Sequence, residues 1–162
     1  MAISRLMRSA NAVGETYRRE LIAAQIPVAS GQGGSFFASD EITSLMCLLA
    51  VIDNPRQDVP LIAVLRSAAF GFSADELSEI RVTDRKCDFC TALIKTAENN
   101  EKCAAFLKKL NDFRDRAPDM ELGELLRYVY DELDLMALCA AMPDGEMRCS
   151  NLRQMLELAK SL

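Results

Sequence analysis

Apolar residues recur along most of this chain at spacings of three and four, the period of a helix with one buried face. In residues 102–116, Phe106, Leu110 and Phe113 form an apolar stripe and the charged residues take the opposite face. Residues 120–133 repeat the pattern with Leu122, Leu125, Leu126 and Val129 inward. Another helix begins at Ser39, a capping residue ahead of an acidic first turn, and runs through SDEITSLMCLLAVID. Residues 61–70 are apolar around nearly the whole circumference, which predicts a buried helix interrupted at Gly71. Ser73 then caps ADELSEIR, with Glu76 in the capping-box position three residues on. RVTDRKCDFC leads into a helix over about 86–97, and Pro118 stops the 102–116 helix. Residues 135–142 predict a short apolar helix, and the last helix runs from about 146 to 162. DNPRQD (53–58) and PDG (143–145) are turn clusters.

The first 30 residues differ. AISRLM (2–7) reads as a strand, and residues 12–24 as a helix capped by Asn11 with Val13, Tyr17, Leu21 and Ala24 on one face. IPVAS (26–30) reads as a second strand. Strand–helix–strand suggests a piece of an α/β domain that continues elsewhere. GQGGSFF (31–37) is a glycine-rich connector. It lacks the following Lys and Ser/Thr, and the helix opening directly after, that a phosphate-cradling loop needs. The expected fold is mainly α: a multi-helix orthogonal bundle with a short strand–helix–strand remnant at its N-terminus. Only 7 Gly and 5 Pro among 162 residues agree with helices rather than many tight turns, and 50% hydrophobic residues allow a sizeable core.

Charge narrows the function. With 24 acidic against 19 basic residues the formal charge is −5, so bulk attraction to nucleic acid is excluded and any DNA contact must be local. The chain has no histidine, which removes the commonest general base and metal ligand. No run of about 18 apolar residues spans a membrane, and Met1–Ala10 has no continuous apolar core of a signal peptide. The six cysteines are therefore expected reduced, cytoplasmic and mostly buried.

The search for chemistry finds two places. CDFC (87–90) is the one motif-like cysteine pair. A zinc site wants two more matched ligands and a redox pair wants a βα setting, so small hydrophobes on a helix is the favoured reading over zinc or redox chemistry. Paired carboxylates such as Asp75/Glu76 and Asp131/Glu132 read as helix-start or solvated charges. No catalytic or metal-binding set emerges. VLRSAAFGFSADEL (64–77) is helix, glycine turn, capped helix. Such a turn is either a tight helical hairpin or a place where N–H groups at the second helix start, with Arg66 nearby, meet a phosphate.

Four stretches in order carry a resemblance: LMRSANAVGETYRRELIAAQIPV (6–28), GGSFFASDEITSLMCLLAVIDNPRQDVPLIAVLRS (33–67), FGFSADELSEIR (70–81) and AMPDGEMRCSNLRQMLELA (141–159). Together they resemble the UvrD-like DNA helicases, and within them the AddA-type helicase–nuclease subunits. The first looks like that family's motif IV, whose arginine reaches nucleotide phosphates and falls on Arg8. The second holds a glycine loop, a phenylalanine, the Glu41-Ile42 pair and a DNP turn. The last resembles a Gly-Glu-x-Arg-x-x-Asn-Leu return helix through Gly145, Glu146, Arg148, Asn151 and Leu152. The resemblance implies that residues 1–30 are a fragment of the second RecA-like motor domain, and 31–162 an inserted helical subdomain of the 2B type. It implies a non-catalytic piece excised from an ATP-dependent DNA helicase–nuclease of the bacterial cytoplasm, active in recombination and double-strand-break repair. ATP and Mg would belong to the parent and no cofactor to this piece. The partners implied are double-stranded DNA with a single-stranded tail and the companion helicase–nuclease subunit, with no membrane. The turn at Arg66, Gly71 and Ser73 matches the region where such subdomains meet the duplex backbone, with Phe-Gly-Phe where simpler members have Gly-Ile-Gly. An alternative reading is a helical protein–protein interaction domain that contacts the companion subunit.

Overall fold

The structure, a computed structural model, describes residues 36–161. The chain divides into two compact units, Met1–Ala38 and Ser39–Leu162. The strands expected at 2–7 and 26–30, the helix at 12–24 and Arg8 all lie outside the described residues.

The second unit is a helical bundle, and no strand occurs among its described residues. Helix α1 is Asp40–Asp53, α2 Asp58–Arg66, α3 Ala74–Thr83, α4 Phe89–Ala97 and α5 Glu101–Arg116. A 3₁₀ turn, Ala117–Asp119, leads to α6 Leu122–Glu132, α7 Leu135–Ala140 and α8 Gly145–Lys160. Sequential neighbours pack together from α1 to α2 and from α3 through α5, while α8 packs on α6 and α7. Contacts of α1 with α5 and α8 close the unit.

The apolar spacing explains each buried face. On α5 the stripe Cys103, Phe106, Leu110 and Phe113 is buried, and α1 buries Ile42, Leu45, Leu48, Val51 and Ile52. Caps set several boundaries: Asp88 accepts from the Thr91 N–H at 2.9 Å at the start of α4, and Asn100 accepts from the Cys103 N–H at 3.0 Å at the start of α5. The DNPRQD turn does more than separate α1 from α2. Asn54 Oδ1 accepts from the Arg56 N–H at 3.1 Å, and Asp58 Oδ1 accepts from the Phe89 N–H at 2.9 Å, tying the start of α2 to the start of α4.

Three sequence expectations need correction. The 61–70 helix is instead Asp58–Arg66, because the Ser67 side chain and N–H both turn back onto the Val64 carbonyl and end it. Pro60 sits in its first turn, where a missing N–H costs nothing. Leu122 is the first residue of α6 and 37% exposed; Gly123 takes the buried place, close enough to α8 that a Cβ would meet Lys160 Cγ at 3.0 Å. The helix expected over 86–97 begins at Phe89, so Cys87 lies in the turn before it.

One buried ion pair holds the ends of the unit together. Glu41 Oε2 accepts from Arg148 Nη1 at 2.7 Å, and Oε1 accepts from Asn151 Nδ2 at 2.6 Å. Arg148 Nε donates to the Pro143 carbonyl at 3.0 Å, and Nη2 lies 3.5 Å from Asp40. The Glu41 side chain is 5% exposed and that of Arg148 23%. Burial pushes the Glu41 carboxyl up, but hydrogen bonds from Asn151, its own backbone and Ser39, with the Arg148 charge, outweigh that and hold it below its ordinary 4.5.

Removing one partner from a buried pair costs about 3–5 kcal/mol, and Arg148 retains some water, so Glu41→Ala is expected to lower stability by about 2–4 kcal/mol in urea titration. The pH dependence follows from the lowered carboxyl. Glu41 contributes fully above its ordinary value, and the contribution is lost as pH falls through the lower folded value. Melting temperature should therefore drop below about pH 4.5, and in Glu41→Gln that part of the acid loss should be missing.

Candidate nucleic-acid interface at the Gly71 turn

The segment from Arg66 to Glu76 joins α2 to α3 and is fixed almost atom by atom. The Ser67 carbonyl accepts from the N–H groups of Phe70 at 3.1 Å and Gly71 at 2.8 Å, and the Phe72 N–H returns to the Leu65 carbonyl at 2.9 Å. Gly71 has φ 60, left-handed backbone that a side chain disfavours. Phe70 and Phe72 anchor the turn edge-on against Phe106 of α5, with centroids 4.8 and 6.2 Å away.

The start of α3 carries the expected capping box: Glu76 N–H donates to Ser73 Oγ at 3.1 Å, and Ser73 N–H donates to Glu76 Oε2 at 2.7 Å. Among the described residues no acceptor lies on the N–H groups of Ala74 and Asp75, which therefore face outward at the helix start. Arg66, Gly71 and Ser73 are all exposed, so the three residues expected to meet DNA share one short surface segment. Among the described residues Arg66 makes no ion pair.

Lys102 is a participant that the sequence gives no sign of. From the first turn of α5 its ammonium donates to the Gly71 carbonyl at 2.9 Å and to both Glu76 oxygens at 2.8 and 2.9 Å, and lies 4.4 Å from the centre of the Phe72 ring. The Lys102 contact, with the Ser73 N–H, holds the Glu76 carboxyl below its usual range. On the side away from α5, Ser67–Phe70 wall a mostly apolar cleft of about 220 Å³ shared with Leu45, Leu48, Leu133 and Leu152. The turn is thus braced chiefly from α5. Asp75 and Glu76 offset Arg66 and Lys102, so attraction of a phosphate here rests on aimed donors and not on net charge.

The cysteine pair is not brought into a site. Cys87 is half-buried with Sγ directed at the Asp84 carbonyl at 3.6 Å, and Cys90 is buried on α4. Burial pushes both thiols up, with Asp84 adding to the effect at Cys87 and Asp88 at Cys90, which disfavours the thiolate that metal binding or exchange requires. Among the described residues no group of three or more Cys, Asp or Glu is placed to hold a metal.

The return-helix residues explain themselves as architecture. A Cβ on Gly145 would lie 2.5 Å from the Ala140 carbonyl oxygen, so only glycine lets α8 start this close to α7. Arg148 and Asn151 hold Glu41, and Leu152 is 1% exposed while its carbonyl accepts from Tyr130 OH at 3.0 Å.

Comparison with known proteins follows the same lines. Residues 2–120 match the family described as the UvrD-like helicase C-terminal domain. Over 160 residues the chain is 38% identical to the AddA-type ATP-dependent helicase/nuclease protein of Acetivibrio thermocellus, covering 96% of this chain and 13% of that protein. The same-named protein of Ruminiclostridium cellulolyticum is 37% identical over 158 residues (95% of this chain, 13% of the relative), and that of Leuconostoc mesenteroides 38% over 141 residues (87% and 12%). The chain thus spans about an eighth of the length of these relatives.

The left-handed Gly71 gives a direct test of the turn. Open space surrounds the position, so only backbone strain opposes a side chain. Gly71→Ala is expected to lower stability by about 1–2 kcal/mol and Gly71→Asn by less, measured by thermal or urea unfolding. Equal losses in the two variants would contradict the left-handed assignment.

Proposed function

The chain belongs to the family of UvrD-like helicase C-terminal domains, and on that premise we propose that it is a non-catalytic helical accessory piece of an ATP-dependent DNA helicase–nuclease. Its task is to guide duplex DNA ahead of the unwinding junction. The observation that carries the reading is the Arg66–Glu76 segment. It is a pre-set turn with an unpaired Arg66 and two outward N–H groups at the start of α3, the arrangement that suits a phosphodiester without reading bases. A turn already fixed before DNA arrives loses little conformational entropy on contact.

On this reading residues 31–162 are the 2B-type insertion and residues 1–30 belong to the second motor domain. Arg8 would face the nucleotide there, though it lies outside the described residues, and ATP with Mg would be held by the parent's motor domains. The parent would act in the bacterial cytoplasm in recombination and double-strand-break repair, on duplex DNA carrying a single-stranded tail. A second reading, contact with the companion helicase–nuclease subunit, is favoured by apolar side chains left in solvent, chiefly Val59 at 80% and Val82 at 60% exposure.

The test is fluorescence anisotropy of a labelled tailed duplex at low salt, titrated with the chain and with Arg66→Glu. The expected result is binding that weakens as salt rises and weakens about fivefold or more with the charge reversal. If the unmodified chain shows no binding even at low salt, it does not hold DNA by itself, and the partner-contact reading takes precedence.

A further inference from the structure

We infer that Lys102 is a positioning residue for the Gly71 turn: by neutralising Glu76 and holding the Gly71 carbonyl, it lets the turn accept a DNA phosphate that it does not itself touch. The inference rests on the duplex-guiding reading above. Its first support is a count of donors. An ammonium has three N–H groups, and three acceptors surround this one: the Gly71 carbonyl and the two Glu76 oxygens. The Phe72 ring lies against it as well. No donor remains to bind a phosphate without breaking the clasp.

The second support is electrostatic. Glu76 and Asp75 stand in the first turn of α3, beside the outward N–H groups. Unneutralised, both carboxylates would oppose an incoming phosphate at short range. Lys102 cancels one of them at the position nearest the turn. The third is energetic. The Lys102 and Glu76 side chains are 41% and 35% exposed, so water screens the pair and its contribution to overall stability is small. The contact links segments 26 and 31 residues apart while adding little stability, which points to placement of the turn as its consequence.

The test compares the full chain with Lys102→Met, Lys102→Arg and the double variant Lys102→Met/Glu76→Gln in the tailed-duplex titration, repeated across salt concentrations. Gln at position 76 keeps the capping-box hydrogen bond and removes only the charge. Lys102→Met is expected to weaken binding about three- to fivefold with the salt slope unchanged, Lys102→Arg to bind nearly normally, and the double variant to recover to within about twofold of the parent chain. Undiminished binding by Lys102→Met overturns the inference. So does a loss that Glu76→Gln does not restore and that comes with a slope shallower by about 0.9, the signature of a lost phosphate contact. If the parent chain itself does not bind, the duplex-guiding reading fails separately. Hydrogen exchange at the Gly71 and Phe72 amides in Lys102→Met then decides: faster exchange retains Lys102 as the residue that sets the turn, and unchanged exchange rejects it.

Discussion

The helical unit depends on one buried carboxylate. Glu41 sits in the first turn of α1, and its two oxygens are taken by Arg148 and Asn151 of α8, across 107 and 110 residues of chain. Every apolar contact in the bundle tolerates some sliding, because burial of area is non-directional. A nearly fully buried carboxylate does not, since each of its oxygens must keep a donor or bear the cost of desolvation. The clasp therefore selects one register of α1 on α8. Because α1 also packs on α2 and α5, that register fixes where α2 ends and so where the Gly71 turn is presented. Such a pair is a stronger argument for a unique arrangement than for added stability.

Recognition and contact are divided between different residues. The stretches that most resemble the helicase family include Glu41, Gly145, Arg148, Asn151 and Leu152. In the structure these make the clasp, the close approach of α7 to α8 and the buried seam under Tyr130. They identify the chain because they close the fold. The turn that would meet DNA relies on other means: a left-handed glycine, two phenylalanines set against Phe106, and a lysine from another helix.

The fold is legible in the sequence where structure is local. The α5 stripe, the Ser73–Glu76 capping box and the break at Gly71 all follow from spacings of three or four and from one permissive residue, and the structure has them. Leu122 misleads because an apolar residue at a helix start fits the inward pattern, while the real contact there belongs to the smaller Gly123 against Lys160. The length of α2 misleads because the run through Phe70 is uniformly apolar, and the stop comes from Ser67 hydrogen-bonding backwards. Glu41–Arg148 and Lys102–Gly71 are invisible in the sequence for a different reason. Each partner looks like an ordinary surface charge in its own helix, and only the packing of distant elements pairs them. Arg66, Gly71 and Ser73 can be singled out together because they lie within eight residues of one another.

Rigidity and charge together suggest how such a piece would work on the proposed reading. A chain with a formal charge of −5 does not draw DNA from a distance, and a turn with balanced charges engages few phosphates. Few contacts mean weak affinity and rapid release, which hinders a clamp but suits a guide along which a duplex must keep moving. The pre-set backbone supplies what charge does not: a fixed place and direction for one strand, at little entropic cost each time the contact is renewed. Tighter hold would then come from other parts of the parent protein, and the helical unit would contribute geometry. The stiffness of the Glu41 clasp and the bracing of the turn from α5 are the properties that such a role requires.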